Sequence, residues 1–167
     1  MRKLTILAAV AAIVAMGAFA DSAVAQNPLQ GGPGIAVAGS QQASSLPKEA
    51  KNFLNKHFKD VKVRKCEQYF AKGKYEVELA NGVDIEFTTQ GRVIEIDAPS
   101  RKVLATEVVK DLLPHKAYKH LNDAGMQGYV ESIEFDRRGK AVEVELNIPE
   151  PDVYVYDIDG NFLVISD

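Results

Sequence analysis

Few side chains in this sequence have the type and spacing to do chemistry. Three histidines occur, His57, His115 and His120, with a single cysteine, Cys66. His57 continues an apolar helical stripe, and His115 and His120 are five residues apart, off any shared helix face. A metal site needs several converging ligands, so the histidines read as partly buried helix residues and no metal is expected. Cys66 corresponds to Ile133 in a second stretch of similar sequence, which predicts a small packed group, and no activating base can be named for it, so the thiol is expected to be inert. Asp157-Ile158-Asp159-Gly160-Asn161 has the opening of a calcium loop, but Phe162-Leu163-Val164 follow where further oxygen ligands and a closing Glu would be needed. Asp, Gly and Asn also suit a tight turn, which is the reading adopted. Glu76/Glu78 and Glu143/Glu145 each point to one side of a strand; on an open sheet such pairs solvate a surface, whereas acid–base work needs a dry cleft. Nucleophile elbows, phosphate loops, CxxC pairs and HExxH are absent from the sequence. The expectation is a protein that is not an enzyme and carries no cofactor.

The elements that position these residues begin after an export signal. Arg2 and Lys3 precede an apolar run, Leu4 to Ala18, and the small-x-small sites Ala18-Phe19-Ala20 and Ala23-Val24-Ala25. That is the layout of a cleavable signal peptide over residues 1–25, cut after Ala20 or Ala25, with a periplasmic or secreted product. The run is shorter than the about 20 residues of a membrane span. Cleavage after Ala25 removes Arg2, Lys3 and Asp21 and moves the formal charge from −3 to −4. An acidic chain without Lys/Arg clusters argues against nucleic acid and anionic membrane as partners. One cysteine cannot close an internal disulfide, so a packed core must hold the fold.

Residues 26–45 are uncharged and rich in Gly, Gln, Ser and Pro, the composition of a flexible leader. Within them Ile35-Ala36-Val37 could add an edge strand. From Leu46 the pattern turns helical: Ala50, Phe53, Leu54, His57 and Phe58 share one face. Strand-like runs follow near Val61–Phe70, Lys74–Ala80, Val83–Thr88 and Arg92–Asp97. Asn81-Gly82 forms the first hairpin turn and Gly91 the next. A shift of 67 residues then lays LPKEAKNFLN on LPHKAYKHLN, Glu67 on Glu134, and Glu76–Leu79 on Glu143–Leu146. After the hairpin the shift is 69, because NIPEP is longer than its counterpart; Gly91 meets Gly160 and Ile96 meets Ile165. A constant offset through helix, strand and turn predicts a duplicated unit, residues 46–97 and 98–167. An extra helix at Ala105–Leu112, capped by Thr106 and with Leu104, Val108 and Leu112 on one face, precedes the second copy. The helix beginning at Leu113-Pro114 should stop at Gly125. The predicted fold is α+β: two tandem repeats of a helix plus a four-stranded antiparallel sheet, with the helices on one face.

Alternation assigns the faces. Tyr75, Val77, Leu79, Ile85, Phe87, Ile94 and Ile96 should meet the helix of the first copy. Val142, Val144, Leu146, Tyr154, Tyr156, Leu163 and Ile165 should meet that of the second. The opposite face carries Glu76, Glu78, Asp84, Glu86 and Glu95 in the first copy. In the second it keeps Glu143 and Glu145 but adds Val153, Val155, Phe162 and Val164. An apolar cluster on an open sheet face is a candidate partner site. These six residues are its expected members, and an envelope or secreted protein is the expected partner.

The recurring motifs resemble the PepSY-like family of exported bacterial proteins. The first copy shows Leu46-Pro47, Tyr75 to Leu79, Asn81-Gly82, Ile85-Glu86-Phe87 and Gly91 to Asp97; the second shows Leu113-Pro114, Val142 to Leu146 and Asp157-Ile158-Asp159-Gly160. The second copy departs from the pattern at Val142, where the first has Tyr75, and at the longer NIPEP turn. The resemblance implies a fold like that of β-lactamase-inhibitor protein and a binding role, protease or hydrolase inhibition being the one the name suggests. A small-ligand or cation-binding role for the acidic face is the alternative.

Overall fold

The computed structural model describes residues 36–37, 43–136, 138–149 and 153–166. The signal peptide expected over 1–25 and nearly all of the leader lie outside these. The chain runs β1 (Ala36–Val37), α1 (Lys48–His57), β2 (Val63–Tyr69), a short 3-10 turn (Phe70–Lys72), β3 (Lys74–Leu79), β4 (Asp84–Thr88) and β5 (Val93–Asp97). It continues through α2 (Thr106–Leu112), α3 (His115–Asp123), β6 (Val130–Phe135), β7 (Ala141–Leu146), β8 (Val153–Asp157) and β9 (Phe162–Ser166). All strands join one open antiparallel sheet in chain order, eight full strands with the two-residue β1 added beside β2. The backbone of Ala36–Val37 pairs with Cys66 and Glu67, so this piece of the leader does form an edge strand.

The helices and strands follow from spacing. On α1, Ala50 and Leu54 are buried, with Phe58 just beyond, and the Phe53 ring meets Phe87 edge-on at 6.0 Å. On α3, Ala117 and Leu121 are buried, and His120, the counterpart of Phe53, meets Tyr156 at 5.8 Å. Strand β3 alternates strictly, with Tyr75, Val77 and Leu79 buried. Each such apolar side chain contributes about 1.5–3 kcal/mol by burial. Thr106 is not the cap of α2: it is the first helical residue, and Ala105 occupies the cap without a side-chain hydrogen bond. Helix α2 buries Val108 and Val109. It is tied to α1 by Asp111, which accepts from Lys56 at 2.5 Å and meets His57 Nε2 at 2.8 Å.

Two β-bulges overturn part of the face assignment. Glu86 pairs with Glu95 but Phe87 pairs with Val93, and likewise Val155 pairs with Val164 but Tyr156 pairs with Phe162. One extra residue reverses the side-chain parity beyond it. Val93, rather than Ile94, therefore stands opposite Phe87 and packs on the core. Leu163 and Ile165, expected in the core, are 55% and 38% exposed, because β9 is the edge of the sheet and has no neighbour on its far side.

Candidate functional site

The sheet face turned away from the helices is built by register. Glu67 pairs with Glu76, Glu76 with Glu86, Glu86 with Glu95, Glu95 with Glu134 and Glu134 with Glu143. Six glutamates thus stand in one row across six adjacent strands, and the row continues into Val155 and Val164. A second row runs Lys65, Glu78, Asp84, Asp97, Ser132, Glu145, Val153. The β5–β6 pairing is what joins the two halves of the chain into a single acidic surface.

Like charges directly opposite on a sheet are destabilising, and the carboxyls register it. Burial, with the neighbouring charges of Asp97, Glu86 and Glu134, pushes Glu95 up to about 7. Burial likewise raises Asp97, and burial with the charge of Asp97 raises Asp84. The reading of this face as ordinary solvating charge is therefore incomplete. Cations offset part of this repulsion: Arg64 pairs with Glu78 and Lys74 with Glu86, and Lys65 pairs with Glu67 at 2.5 Å. Burial alone would raise Glu67, but its bonds from Lys65 and Tyr69 outweigh this and hold it low.

The structure brings five of the six expected partner-site residues to this face. Glu143 and Glu145 are exposed, Val153 and Val155 are part-exposed opposite them, and Val164 is 50% exposed. Phe162 is not there. The second bulge sets it beside Tyr156 on the helix side, where its ring lies 5.1 Å from His120 and 5.9 Å from Tyr156. The Glu67–Glu143 row was visible in the sequence only as Glu67/Glu134 and Glu76/Glu143 at the same offset; which strands abut was not.

The remaining candidates resolve into structure. His120 Nδ1 lies 3.0 Å from the Tyr156 hydroxyl. Asp157 accepts from the Asn161 backbone N–H at 2.8 Å and its Nδ2 at 2.7 Å, closing the turn at Gly160, so Asp157-to-Asn161 is a turn. No three His, Cys, Asp or Glu side chains among the described residues converge to hold a metal. Cys66 is buried, and burial pushes its thiol up to about 11. Alkylation of the native protein at pH 8 is accordingly expected to run at least about a hundredfold slower than in denaturant. Equal rates followed by mass spectrometry would contradict the burial.

A family model described as "Putative beta-lactamase-inhibitor-like, PepSY-like" matches residues 39–95 and again 73–163. No curated protein matches the chain. Among solved structures, the chain is similar to a "putative periplasmic protein of unknown function" from Bacteroides vulgatus, with 29% identity and a TM-score of 0.61, covering 79% of this chain and 99% of that one. It is also similar to a "putative calcium-regulated periplasmic protein" from Bacteroides thetaiotaomicron, with 27% identity and a TM-score of 0.59, covering 75% and 94%. A second Bacteroides vulgatus protein, of the DUF2874 family, shares the fold at 22% identity and a TM-score of 0.57, covering 80% and 96%. No described helix is long and apolar enough to cross a membrane.

Proposed function

The chain belongs to the PepSY-like family, and on that footing we propose that it is an exported, non-catalytic binding protein that holds a basic partner surface on its open sheet face, in the manner of an inhibitor module. Residues 1–25 act as the cleavable signal, and two copies of one helix-and-strands unit form the mature body. The observation that carries the reading is the row of six glutamates in register across β2 to β7. Carboxylates set opposite one another across strands repel, and Glu95 is raised by its neighbours Asp97, Glu86 and Glu134, which supports a partner that brings positive charge to the row. Lys and Arg side chains over the row would relieve the repulsion. The adjoining Val153, Val155 and Val164 would supply apolar contact. Three such side chains contribute on the order of 5–9 kcal/mol, against an association cost of about 4–15 kcal/mol, so the charges are needed for a stable complex.

The test is charge reversal. Wild-type protein immobilised at low ionic strength should retain an envelope protein that elutes as salt rises, since exposed charge pairs are screened within about 10 Å at 0.1 M. The triple variant Glu76→Lys, Glu134→Lys, Glu143→Lys should lose that protein, and Val155→Glu should weaken its retention at least about tenfold. Retention that ignores both salt and the triple variant would refute the reading.

The description of one similar protein as calcium-regulated favours a second reading, in which the same carboxylates respond to divalent cations. Calcium would then raise the thermal midpoint of wild type and leave that of the triple variant unmoved.

A further inference from the structure

Strands β5 and β6 diverge at one end. Their ladder stops at Glu95 opposite Glu134; Ile94 and Phe135, next in line, are unpaired, while β5 continues against β4 to Val93 and β6 against β7 to Phe135. The bulge at Val93–Ile94 drives the parting. The gap is a cavity of about 610 Å³, within the usual range for small-molecule sites. Its walls carry Val93, Ile94, Leu112, Phe135 and Ile158, so it reaches from the strands to the end of α2. Its rim carries Lys72, Lys74, Arg92 and Arg138 against Glu86 and Asp136. Lys74 is held by Glu86 and Lys72 lies over the Tyr69 ring at 5.6 Å, which leaves Arg92 and Arg138 with Asp136 among the charged lining residues. In a chain of net charge −3 this is a locally positive rim over an apolar interior.

We propose that this split between the two halves binds a small amphipathic anion: one carboxylate or phosphate head at Arg92 and Arg138, and an alkyl or aryl group between Ile94 and Phe135. Arginine suits such a head because its planar fork donates two parallel hydrogen bonds. The proposed head group rests on the two arginines, neither of which belongs to the glutamate rows, although Glu86 of one row also stands on the rim.

Octanoate titrated into the purified protein, followed by the amide and side-chain resonances of Ile94 and Phe135 and by calorimetry, is expected to bind with Kd below about 1 mM. Acetate, which has the head without the tail, and octanol, which has the tail without the head, should each bind at least about tenfold more weakly. Octyl phosphate in a parallel titration identifies the preferred head; tighter binding of either anion supports the site. The double variant Arg92→Gln, Arg138→Gln should raise Kd at least about tenfold with an unchanged circular dichroism spectrum. Octanol binding as well as octanoate, or octanoate shifting neither Ile94 nor Phe135, overturns the proposal.

Discussion

Gly91→Ala is expected to destabilise the protein by about 3–5 kcal/mol, and Gly160→Ala by a similar amount. Both residues have left-handed backbone, φ 93° and 81°, which costs a side-chain-bearing residue about 1–3 kcal/mol. Both also sit against a helix start. A Cβ on Gly91 would come within 2.6 Å of the Ala50 backbone nitrogen, and one on Gly160 within 2.8 Å of that of Ala117. A backbone atom in the first turn of α1 or α3 cannot move aside as a flexible side chain can, so overpacking adds about 1–3 kcal/mol. Gly73→Ala is the control: its φ is 64° but nothing lies within 4 Å of the added methyl, so only the backbone cost applies. Urea denaturation separates them. If Gly91→Ala costs no more than Gly73→Ala, the close approach of turn and helix is wrong.

Glu95→Gln is expected to stabilise the protein at pH 8 by about 2 kcal/mol and to do almost nothing at pH 4.5. Burial and the surrounding carboxylates raise Glu95 from 4.5 to about 7. Below about 4.5 the carboxyl is protonated in both folded and unfolded chains. Between the two values the folded protein holds a proton that the unfolded chain has released, so stability falls as pH climbs, and the full deficit is present above about 7. The whole shift corresponds to about 3 kcal/mol at about 1.4 kcal/mol per pH unit, and solvent screening of a part-exposed group reduces it to about 2. Glutamine has the same shape and no charge, so the variant's stability curve should be flatter from pH 5 to 8. Asp84 and Asp97, also raised, keep some slope in both proteins. A variant less stable than wild type at pH 8 would mean that the Glu95 charge is compensated in the native state, and the strain ascribed to the glutamate row would have to be abandoned.

Both predictions concern close approaches between segments distant in sequence, and they mark where the pattern stopped being informative. Period-3.6 spacing located α1 and α3, and period-2 alternation located β3 and β7, because each signal is carried by residues within one element. Asn81-Gly82 and Gly91 announced their turns for the same local reason: φ at Gly82 is 85° and at Gly91 93°, where glycine has no Cβ to clash. The bulges in β5 and β9 left no such mark. Val93-Ile94 and Phe162-Leu163 are two apolar residues in a row, and alternation alone assigns either one inward. Phe162 was accordingly placed on the wrong face.

The amino-acid order by itself determined which segments are helix, which are strand and where they turn, and it carried the 67-residue correspondence, because local periodicity and repetition are written residue by residue. It also placed Glu76, Glu78, Glu86 and Glu95 on one side of β3, β4 and β5. Only the tertiary structure decided that β5 lies beside β6, since nothing local distinguishes one exposed strand edge from another. That single pairing sets Glu95 opposite Glu134 and makes two modest acidic faces into one continuous row. Where the same pairing stops it opens the cavity beside Ile94 and Phe135, and both candidate sites are therefore properties of how the two halves meet.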